Sequence, residues 1–193
     1  MGYWSDTIPG CYIVHRNEFD TTAADRYSSN MIENSNGEKY LHNRYNYGRD
    51  ARVEKNKIGK YGEEAFRVFL REVCGIESTV DYDIWEGSKN VDKNDVLING
   101  LNIDVKFSRD NQDRGFENCY KLNFMVPKTQ SVKDITVWGF CNKDMTDFMI
   151  MSWVPRDYYM KNYKTAMWDG VENYKLPLKS GMKINDLVDV LAA

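Results

Sequence analysis

Histidine and cysteine are scarce in this chain of 193 residues, which contains two His and four Cys. The cysteines, Cys11, Cys74, Cys119 and Cys141, are far apart, and no C-x-x-C pair occurs. Structural zinc sites use Cys and His ligands at short spacings, so the sequence argues against one. Cys74 falls in a helical pattern and Cys141 in a strand pattern, which favours core positions and a reducing, intracellular environment.

Long apolar runs are also missing. No window approaches the roughly 18 consecutive apolar residues of a transmembrane helix, so we expect no membrane span. The start, MGYWSDTIPG, lacks the basic and apolar segments of a signal peptide, and Asp6 stands where a myristoylation signal needs Ser or Thr. The composition, 42% hydrophobic and 28% charged, is ordinary for a globular domain. We therefore expect a cytoplasmic protein.

Positive charge is not in excess overall, since the net charge is −3. It is concentrated between residues 43 and 60, where six Lys and Arg accompany two acidic residues and interleaved tyrosines. Such a stretch could follow a phosphate backbone and stack on bases, and it could equally be a solvated linker. The candidate nucleic-acid-binding residues within it are Arg44, Arg49, Arg52, Lys57 and Lys60.

Hydrophobic periodicity divides the chain into an irregular polar and basic arm over residues 1–55, with short helices near 20–33, and an α/β domain over 56–193. Apolar residues recur at three and four positions in NKIGKYGEEAFRVFLREVCG, which predicts a helix over 56–75 that stops at Gly75. Gly59 and Gly62 lower the helix propensity of this segment, and they suggest either a close backbone approach near the helix start or a helix that starts slightly later than 58. The fold class predicted is α+β, an α/β sandwich with a central mixed sheet flanked by helices. The further predicted elements are strands over 78–86, 94–98, 101–108, 120–126, 134–140 and 147–154, and helices over 155–163 and 184–192.

The segment NDVLINGLNIDVKFS, residues 94–108, predicts a tight hairpin, because Asn-Gly between two alternating runs favours a type I′ turn. A two-residue loop makes Val96 face Ile103 and Asp95 face Asp104. Directly opposed like charges destabilise a strand pair, so open water or a bound cation must offset the two aspartates. Lys106 lies two residues beyond Asp104 and therefore on the same face.

Two carboxylates beside an ammonium suit phosphodiester hydrolysis. Mg²⁺ takes one or two carboxylates together with substrate phosphate, and a metal-bound water is a nucleophile near neutral pH. A nearby lysine can orient the water and stabilise charge on the phosphate. The hairpin therefore predicts a magnesium-dependent site at Asp95, Asp104 and Lys106.

Asp95 followed by Asp104-Val105-Lys106 resembles the signature of the PD-(D/E)XK nuclease superfamily, which includes restriction enzymes, Holliday-junction resolvases and recombination exonucleases. An upstream Gly-Glu helix, typical of many members, is matched by Gly62-Glu63, with Glu64 as the alternative acid. The resemblance implies a restriction-endonuclease-like core and one or two Mg²⁺, for which Mn²⁺ can substitute, bound by Glu63, Asp95 and Asp104. It also implies that Lys106 assists the attacking water.

The segment after the hairpin departs from the family pattern, in which a helix precedes the next strand. Residues 109–119 form a polar loop in our prediction, and only 128–134 could form a short helix. Arg109 and Arg114 in that loop are further candidate contacts to nucleic acid. The resemblance therefore depends mainly on residues 56 to 108.

Three functions remain open from the sequence. The first is a metal-dependent nuclease that acts on DNA, as an endonuclease or an exonuclease, and for which a homodimer would suit double-strand cutting. The second is an inactive nuclease fold that serves as a nucleic-acid-binding or assembly module. The third is an interaction protein whose acidic hairpin face docks a basic partner. A calcium loop starting at Asp92 is rejected, because Leu97 stands where that loop needs Gly.

Overall fold

The computed structural model describes residues 1–34, 48–83, 96–168 and 170–192. Its architecture is α+β, as predicted: a mixed six-stranded sheet with the longest helix on one face and a smaller sheet with two short helices on the other. None of the helices described is long and apolar enough to span a membrane. In chain order, the strands are β1 (Tyr3–Trp4), β2 (Tyr12–His15), β3 (Val96–Ile98), β4 (Leu101–Arg109), β5 (Asn123–Pro127), β6 (Ile135–Cys141), β7 (Asp147–Pro155), β8 (Lys164–Trp168) and β9 (Val171–Pro177). The α-helices are α1 (Thr22–Asn34), α2 (Arg49–Phe69), α3 (Phe116–Cys119), α4 (Arg156–Asn162) and α5 (Ile184–Ala192).

The large sheet has the strand order β1-β2-β7-β6-β4-β3. All its neighbouring pairs are antiparallel except β4 and β6, which are parallel. The small antiparallel sheet has the order β5-β9-β8. Its strand β5 is part of the connection from β4 to β6, and its strands β8 and β9 follow α4 in the chain.

Two apolar cores flank the large sheet. On one side, α2 and α5 pack against β4, β6 and β7 through residues such as Phe66, Ile103 and Leu187, all fully buried. On the other side, Phe124 and Leu176 of the small sheet and Tyr159 of α4 form the second core. Because β4 side chains alternate between these two cores, each residue of the D-x-K motif is assigned to a side of the sheet by its position.

The N-terminal segment differs from the irregular arm that we expected over residues 1–55. Tyr12–His15 form a strand inside the large sheet, paired with β1 on one side and β7 on the other. The physical reason is the short apolar run Tyr12-Ile13-Val14, whose three side chains are buried. At the end of this ladder, Nδ1 of His15 pairs with the carboxylate of Asp147. The described part of 1–55 therefore contributes to the same sheet as the hairpin.

Helix α2 begins earlier than predicted, at Arg49 instead of 56. Its first turns carry Asp50 and Glu54 among good helix formers, and acids near a helix start are favoured by its dipole. After Phe69 the helix continues as a π-helical turn, Leu70–Cys74, and it ends at Gly75 with φ +67°, as the sequence predicted.

Three other predicted elements are corrected. Residues 78–83 of the expected strand 78–86 form no strand, and Asp81 instead caps a turn by accepting a hydrogen bond from the backbone N–H of Asp83 (2.8 Å). The strand expected from residue 120 starts at Asn123, because the N–H of Tyr120 donates to the carbonyl of Phe116 (2.8 Å) and prolongs the turn of α3. Residues 128–134 form turns instead of a helix, and the short helix lies in the expected loop, as α3.

Candidate functional site

The hairpin of β3 and β4 has the predicted register. Val96 pairs with Ile103, Leu97 with Asn102, and Ile98 with Leu101. Asn99 and Gly100 turn the chain with φ angles of +49° and +81°, as a type I′ turn requires. The remaining pair of the prediction includes Asp95, which lies outside the described residues, so its position opposite Asp104 stays a prediction.

Asp104 and Lys106 are brought together on β4. Nζ of Lys106 donates to Oδ1 of Asp104 over 2.8 Å, which is a short ion pair between neighbours on one face of the strand. The Asp104 residue is only 9% exposed, and the Lys106 side chain is 33% exposed. The carboxylate is thus largely shielded from water, whereas the ammonium remains accessible from outside.

The surroundings of Asp104 belong to the second core. Asp104 lies beside Thr136 in the parallel ladder between β4 and β6, and Thr136 is buried. Tyr159 of α4 is affected by the charge of Asp104. Burial raises the pKa of the Tyr159 hydroxyl, and the negative charge of Asp104 raises this pKa further. Tyr159 therefore stays protonated beside the carboxylate at neutral pH.

Glu63 is buried on α2 and is paired with a buried lysine. Nζ of Lys60 donates to Oε2 of Glu63 over 2.8 Å. The same ammonium lies 4.9 Å from the ring centre of Tyr27 and 5.9 Å from that of Tyr82, so it is enclosed by aromatic faces. Glu63 is therefore one member of a buried, charge-balanced cluster between α2 and the residues packed over it.

Glu64, the alternative acid, has both carboxylate oxygens occupied within the chain. Its Oε1 accepts from the Tyr82 hydroxyl (2.7 Å) and its Oε2 from Nε of Arg67 (2.7 Å). Burial raises the pKa of Tyr82, and the hydrogen bond to Glu64 and the charges of Glu64 and Glu63 raise it further. This geometry gives Glu64 a structural role in holding residue 82 against the helix.

The acids of α2 and the Asp104–Lys106 pair lie on different sides of β4. Helix α2 packs on the face that bears Ile103, Val105 and Phe107, so Asp104 and Lys106 point to the opposite face. Within residues 1–34, 48–83, 96–168 and 170–192, no group of three or more His, Cys, Asp or Glu side chains is arranged to hold a metal ion. The described structure thus joins Asp104 to Lys106 and leaves the complete predicted ligand set, which includes Asp95, as a prediction.

Three of the predicted nucleic-acid contacts form ion pairs within the chain. Lys57 lies 3.0 Å from Asp25, and Lys60 pairs with Glu63 as described above. Arg109 donates through two nitrogens to the carboxylate of Glu54, with Nη2–Oε2 at 2.9 Å. The pairs of Lys57 and Arg109 connect separate elements of the fold, and Lys60 is paired within α2, so all three cations have a lowered capacity to bind phosphate.

The other predicted cations have different surroundings. Arg114 is exposed, with its guanidinium bonded to the side chain of Gln112. Arg49 is exposed and lies 3.9 Å from Asp50. In Arg52, Nε and Nη1 are buried without a hydrogen-bond partner among the described residues. Arg44 lies outside the described residues. Arg114 is therefore the predicted contact best placed to meet a polyanion.

The tyrosines around the acids were missed by sequence reasoning. Tyr82 fell in a segment predicted to be a strand, and Tyr159 was assigned to a helix without any predicted contact to the acids. Neither contact has a local sequence signal, because Tyr82 is 18 residues from Glu64 and Tyr159 is more than fifty residues from Asp104 along the chain. The packing of α4 over the sheet brings Tyr159 near Asp104.

A surface cavity of about 360 Å³ lies where β6 begins and β7 ends, lined by Asp134, Pro155, Arg156 and Asp157. Oδ2 of Asp134 accepts hydrogen bonds from the backbone and side chain of Asn102 (2.9 and 3.2 Å), which lower the pKa of Asp134. Asp134 thus fastens β4 to the start of β6, and the sequence contained no signal of this contact.

The fold and the site together define an α+β protein with a buried aspartate paired to a partly exposed lysine on its central sheet. No protein-family model, curated protein or solved structure matches the chain. The resemblance to the PD-(D/E)XK nucleases therefore depends on the residues of the helix and hairpin alone.

Proposed function

We propose that this protein is a metal-dependent nuclease that hydrolyses phosphodiester bonds, most favourably in DNA. The observation that carries the proposal is the ion pair between Asp104 and Lys106, at 2.8 Å, on a hairpin whose described register is the one that the motif predicts. A D-x-K motif on an ordinary solvent-exposed strand face would leave both side chains in water, whereas here the carboxylate of Asp104 is buried.

The two β4 residues of the proposed site have roles that follow from their positions. Asp104 is a fixed carboxylate on an interior strand, next to β6 on one side and β3 on the other. Lys106 combines a bond to that carboxylate with access to the surface, so its ammonium can offset the charge of a phosphate and orient a water molecule. Glu63 and Asp95 complete the proposed set, as the resemblance implies.

The donors fit a hard divalent cation in chemical type, since Mg²⁺ and Mn²⁺ prefer carboxylate oxygens. A bound Mg²⁺ would lower the pKa of a coordinated water and offset negative charge on the phosphate. Among the described residues, Asp104 is the only carboxylate of the set on its face of β4, and Glu63 is on a helix that packs against the other face. Asp95 is therefore the ligand on which metal binding by this site depends.

A specific observation favours a second candidate, an inactive nuclease fold that binds nucleic acid or assembles with a partner. Asp104 and Glu63 are each neutralised by a lysine of the same chain, Lys106 and Lys60. A carboxylate with an internal counterion has less need of a metal. In this candidate, the charged pairs would stabilise the fold and no divalent ion would bind.

A cleavage panel separates the two candidates. Purified protein is incubated with duplex, single-stranded and junction DNA and with RNA, in Mg²⁺, Mn²⁺ or EDTA. We expect cleavage of DNA with either metal and none in EDTA, and Asp104→Asn should reduce the rate at least about a hundredfold, the scale of losing one electrostatic contact in a transition state. Asp157→Asn, an exposed aspartate of α4, is the matched control and should cleave normally.

Calorimetric titration with Mg²⁺ and Mn²⁺ completes the test. Metal binding that Asp104→Asn abolishes supports the nuclease. Folded protein that binds DNA but neither binds metal nor cleaves any substrate would favour the inactive module, and undiminished cleavage by Asp104→Asn would refute the proposed site. An intracellular location and a homodimer, which would suit double-strand cutting, are parts of the same proposal.

A further inference from the structure

The small sheet has two unlike faces. Phe124, Val126 and Leu176 point from one face into the second core and are almost fully buried. Phe124 stacks on Trp138 of the large sheet, with ring centres 3.6 Å apart. The opposite face is therefore turned away from the large sheet and from the Asp104–Lys106 pair.

Two lysines lie directly opposite each other on this outward face. Lys164 of β8 pairs with Lys175 of β9 in the antiparallel register, and Lys164 is exposed. No ion pair to either lysine is found among the described residues, although Lys128 nearby pairs with Glu172 at 3.1 Å. Like charges at directly opposed positions destabilise a strand pair, so the arrangement costs stability unless an anion offsets it.

A large exposed aromatic side chain shares this face. Trp168 lies four residues beyond Lys164 on β8, so the two side chains point the same way, about 13 Å apart along the strand. Trp168 is 57% exposed at the end of the hairpin that turns at Gly170. An exposed indole is a platform on which a base can stack.

The surrounding segment is basic although the whole chain is acidic. Residues 156–183 contain six Lys and Arg and three Asp and Glu, whereas the chain contains 26 and 29. β8 is also the edge of the small sheet and is exposed along most of its length. The outward face thus combines positive charge, an unpaired edge and an aromatic side chain, and its charge is complementary to a polyanion.

We propose that the outward face of the small sheet, defined by Lys164, Lys175 and Trp168, binds single-stranded nucleic acid. The opposed lysines hold phosphate, and a base stacks on Trp168. A single strand is favoured over a duplex because stacking on a protruding indole needs a base whose face is free. The proposal goes beyond the nuclease activity, concerns a different surface, and holds whether or not the chain cleaves.

The test is binding of a fluorescein-labelled 20-residue oligothymidylate, measured by anisotropy in EDTA at low salt. Lys164→Glu should weaken binding at least tenfold and also raise the melting temperature, because it converts a repulsive cross-strand pair into an attractive one. Trp168→Ala should weaken binding about five- to tenfold without lowering stability, since the indole is exposed. Lys143→Glu, an exposed lysine of the β6–β7 turn, changes net charge equally and should alter binding less than twofold.

Other outcomes overturn the proposal. Equal loss in Lys143→Glu and Lys164→Glu would show that only net charge matters. Duplex bound as tightly as the single strand, or polyglutamate competing as well as unlabelled oligothymidylate, would exclude base stacking and point to a general acidic partner. Unchanged binding by Trp168→Ala would do the same. Binding is measured in EDTA, where metal-dependent cleavage is absent, so failure of this surface is distinguishable from failure of the proposed nuclease site.

Discussion

Phe107 packs its ring against the backbone of Gly62, where helix α2 crosses β4. A Cβ atom added at Gly62 would lie 2.7 Å from Cβ of Phe107 and closer still to the ring. On its other side the ring lies over Gly139 of β6, the neighbour of Phe107 in the parallel ladder. Two glycines thus make room for one aromatic ring and set the distance between the helix and the sheet.

This contact predicts opposite effects for two glycines of one helix. Gly62→Ala should destabilise the fold by about 1–3 kcal/mol, because overpacking displaces Phe107 or the helix. Gly59→Ala, where nothing lies within 4 Å, should be neutral or stabilising by up to about 1 kcal/mol. Urea denaturation of both variants measures the difference, and equal free energies of unfolding would contradict the packing described here.

The two acids of α2 should also differ. Glu64→Gln leaves Arg67 without its anion and weakens the bond to Tyr82, so we expect a loss of about 1–3 kcal/mol in stability. Under conditions in which the variant is folded, its metal-dependent cleavage should persist. Glu63→Gln should abolish cleavage under the same conditions. Thermal melts and cleavage rates of the same samples measure both effects. A loss of cleavage confined to Glu64→Gln would make Glu64 the metal ligand and Glu63 the structural acid.

Local signals predicted most of the secondary structure. The Asn-Gly turn determines the register of β3 and β4 because only certain residues tolerate its backbone angles, and the apolar runs of β6 and β7 identify interior strands. Gly62 was a further local signal, since a glycine inside a helix suggested either a close approach, which Phe107 makes, or a later helix start, which the structure does not have. These features depend on neighbours in sequence, so they can be inferred without coordinates.

Long-range packing could not be predicted. The strand Tyr12–His15 is short, and only β7 on one side and β1 on the other make it a strand. The D-x-K motif indicated that Asp104 and Lys106 share a face, but not that α2 packs on the other face or that Tyr159 approaches from α4. The sequence also did not indicate which cations form ion pairs within the fold, because these pairs involve distant acids such as Asp25 and Glu54.

Alkaline pH should weaken the fold partly through Tyr61. Burial, followed by the hydrogen bond to Asp25 (2.6 Å), raises the pKa of Tyr61 from its ordinary value of 10 to about 12. The folded state therefore holds this proton more tightly than the unfolded state, so its contribution is complete below pH 10 and is lost as the pH rises towards 12.

Tyr61→Phe removes that contribution while keeping the ring in the core. Denaturation midpoints between pH 8 and 12 should fall less steeply for this variant than for the wild type. Lys57 still pairs with Asp25 at 3.0 Å, so the carboxylate keeps a partner in the variant. Identical slopes for the two proteins would show that Tyr61 does not titrate in this range.

Arg109 and Arg114 should separate structural from ligand-binding cations. Arg109 connects the end of β4 to α2 through Glu54, so Arg109→Ala should cost about 1 kcal/mol in stability and change DNA binding little. Arg114 is exposed, and in the described structure its guanidinium bonds only to the amide oxygen of Gln112, so Arg114→Ala should leave stability unchanged and weaken DNA binding. Chemical denaturation and anisotropy in EDTA measure the two effects.

Glu54→Ala provides the decisive comparison. If the ion pair with Glu54 is what prevents Arg109 from binding phosphate, removing that carboxylate makes the Arg109 guanidinium available at the surface. DNA binding should then tighten while stability falls. The double variant Glu54→Ala/Arg109→Ala should then return binding to the wild-type level, because the released cation is gone. The gain should also disappear at high salt, since phosphate contacts are counterion-dependent. Binding that stays unchanged in Glu54→Ala would place Arg109 out of reach of the nucleic acid and restrict the polar loop's contribution to Arg114.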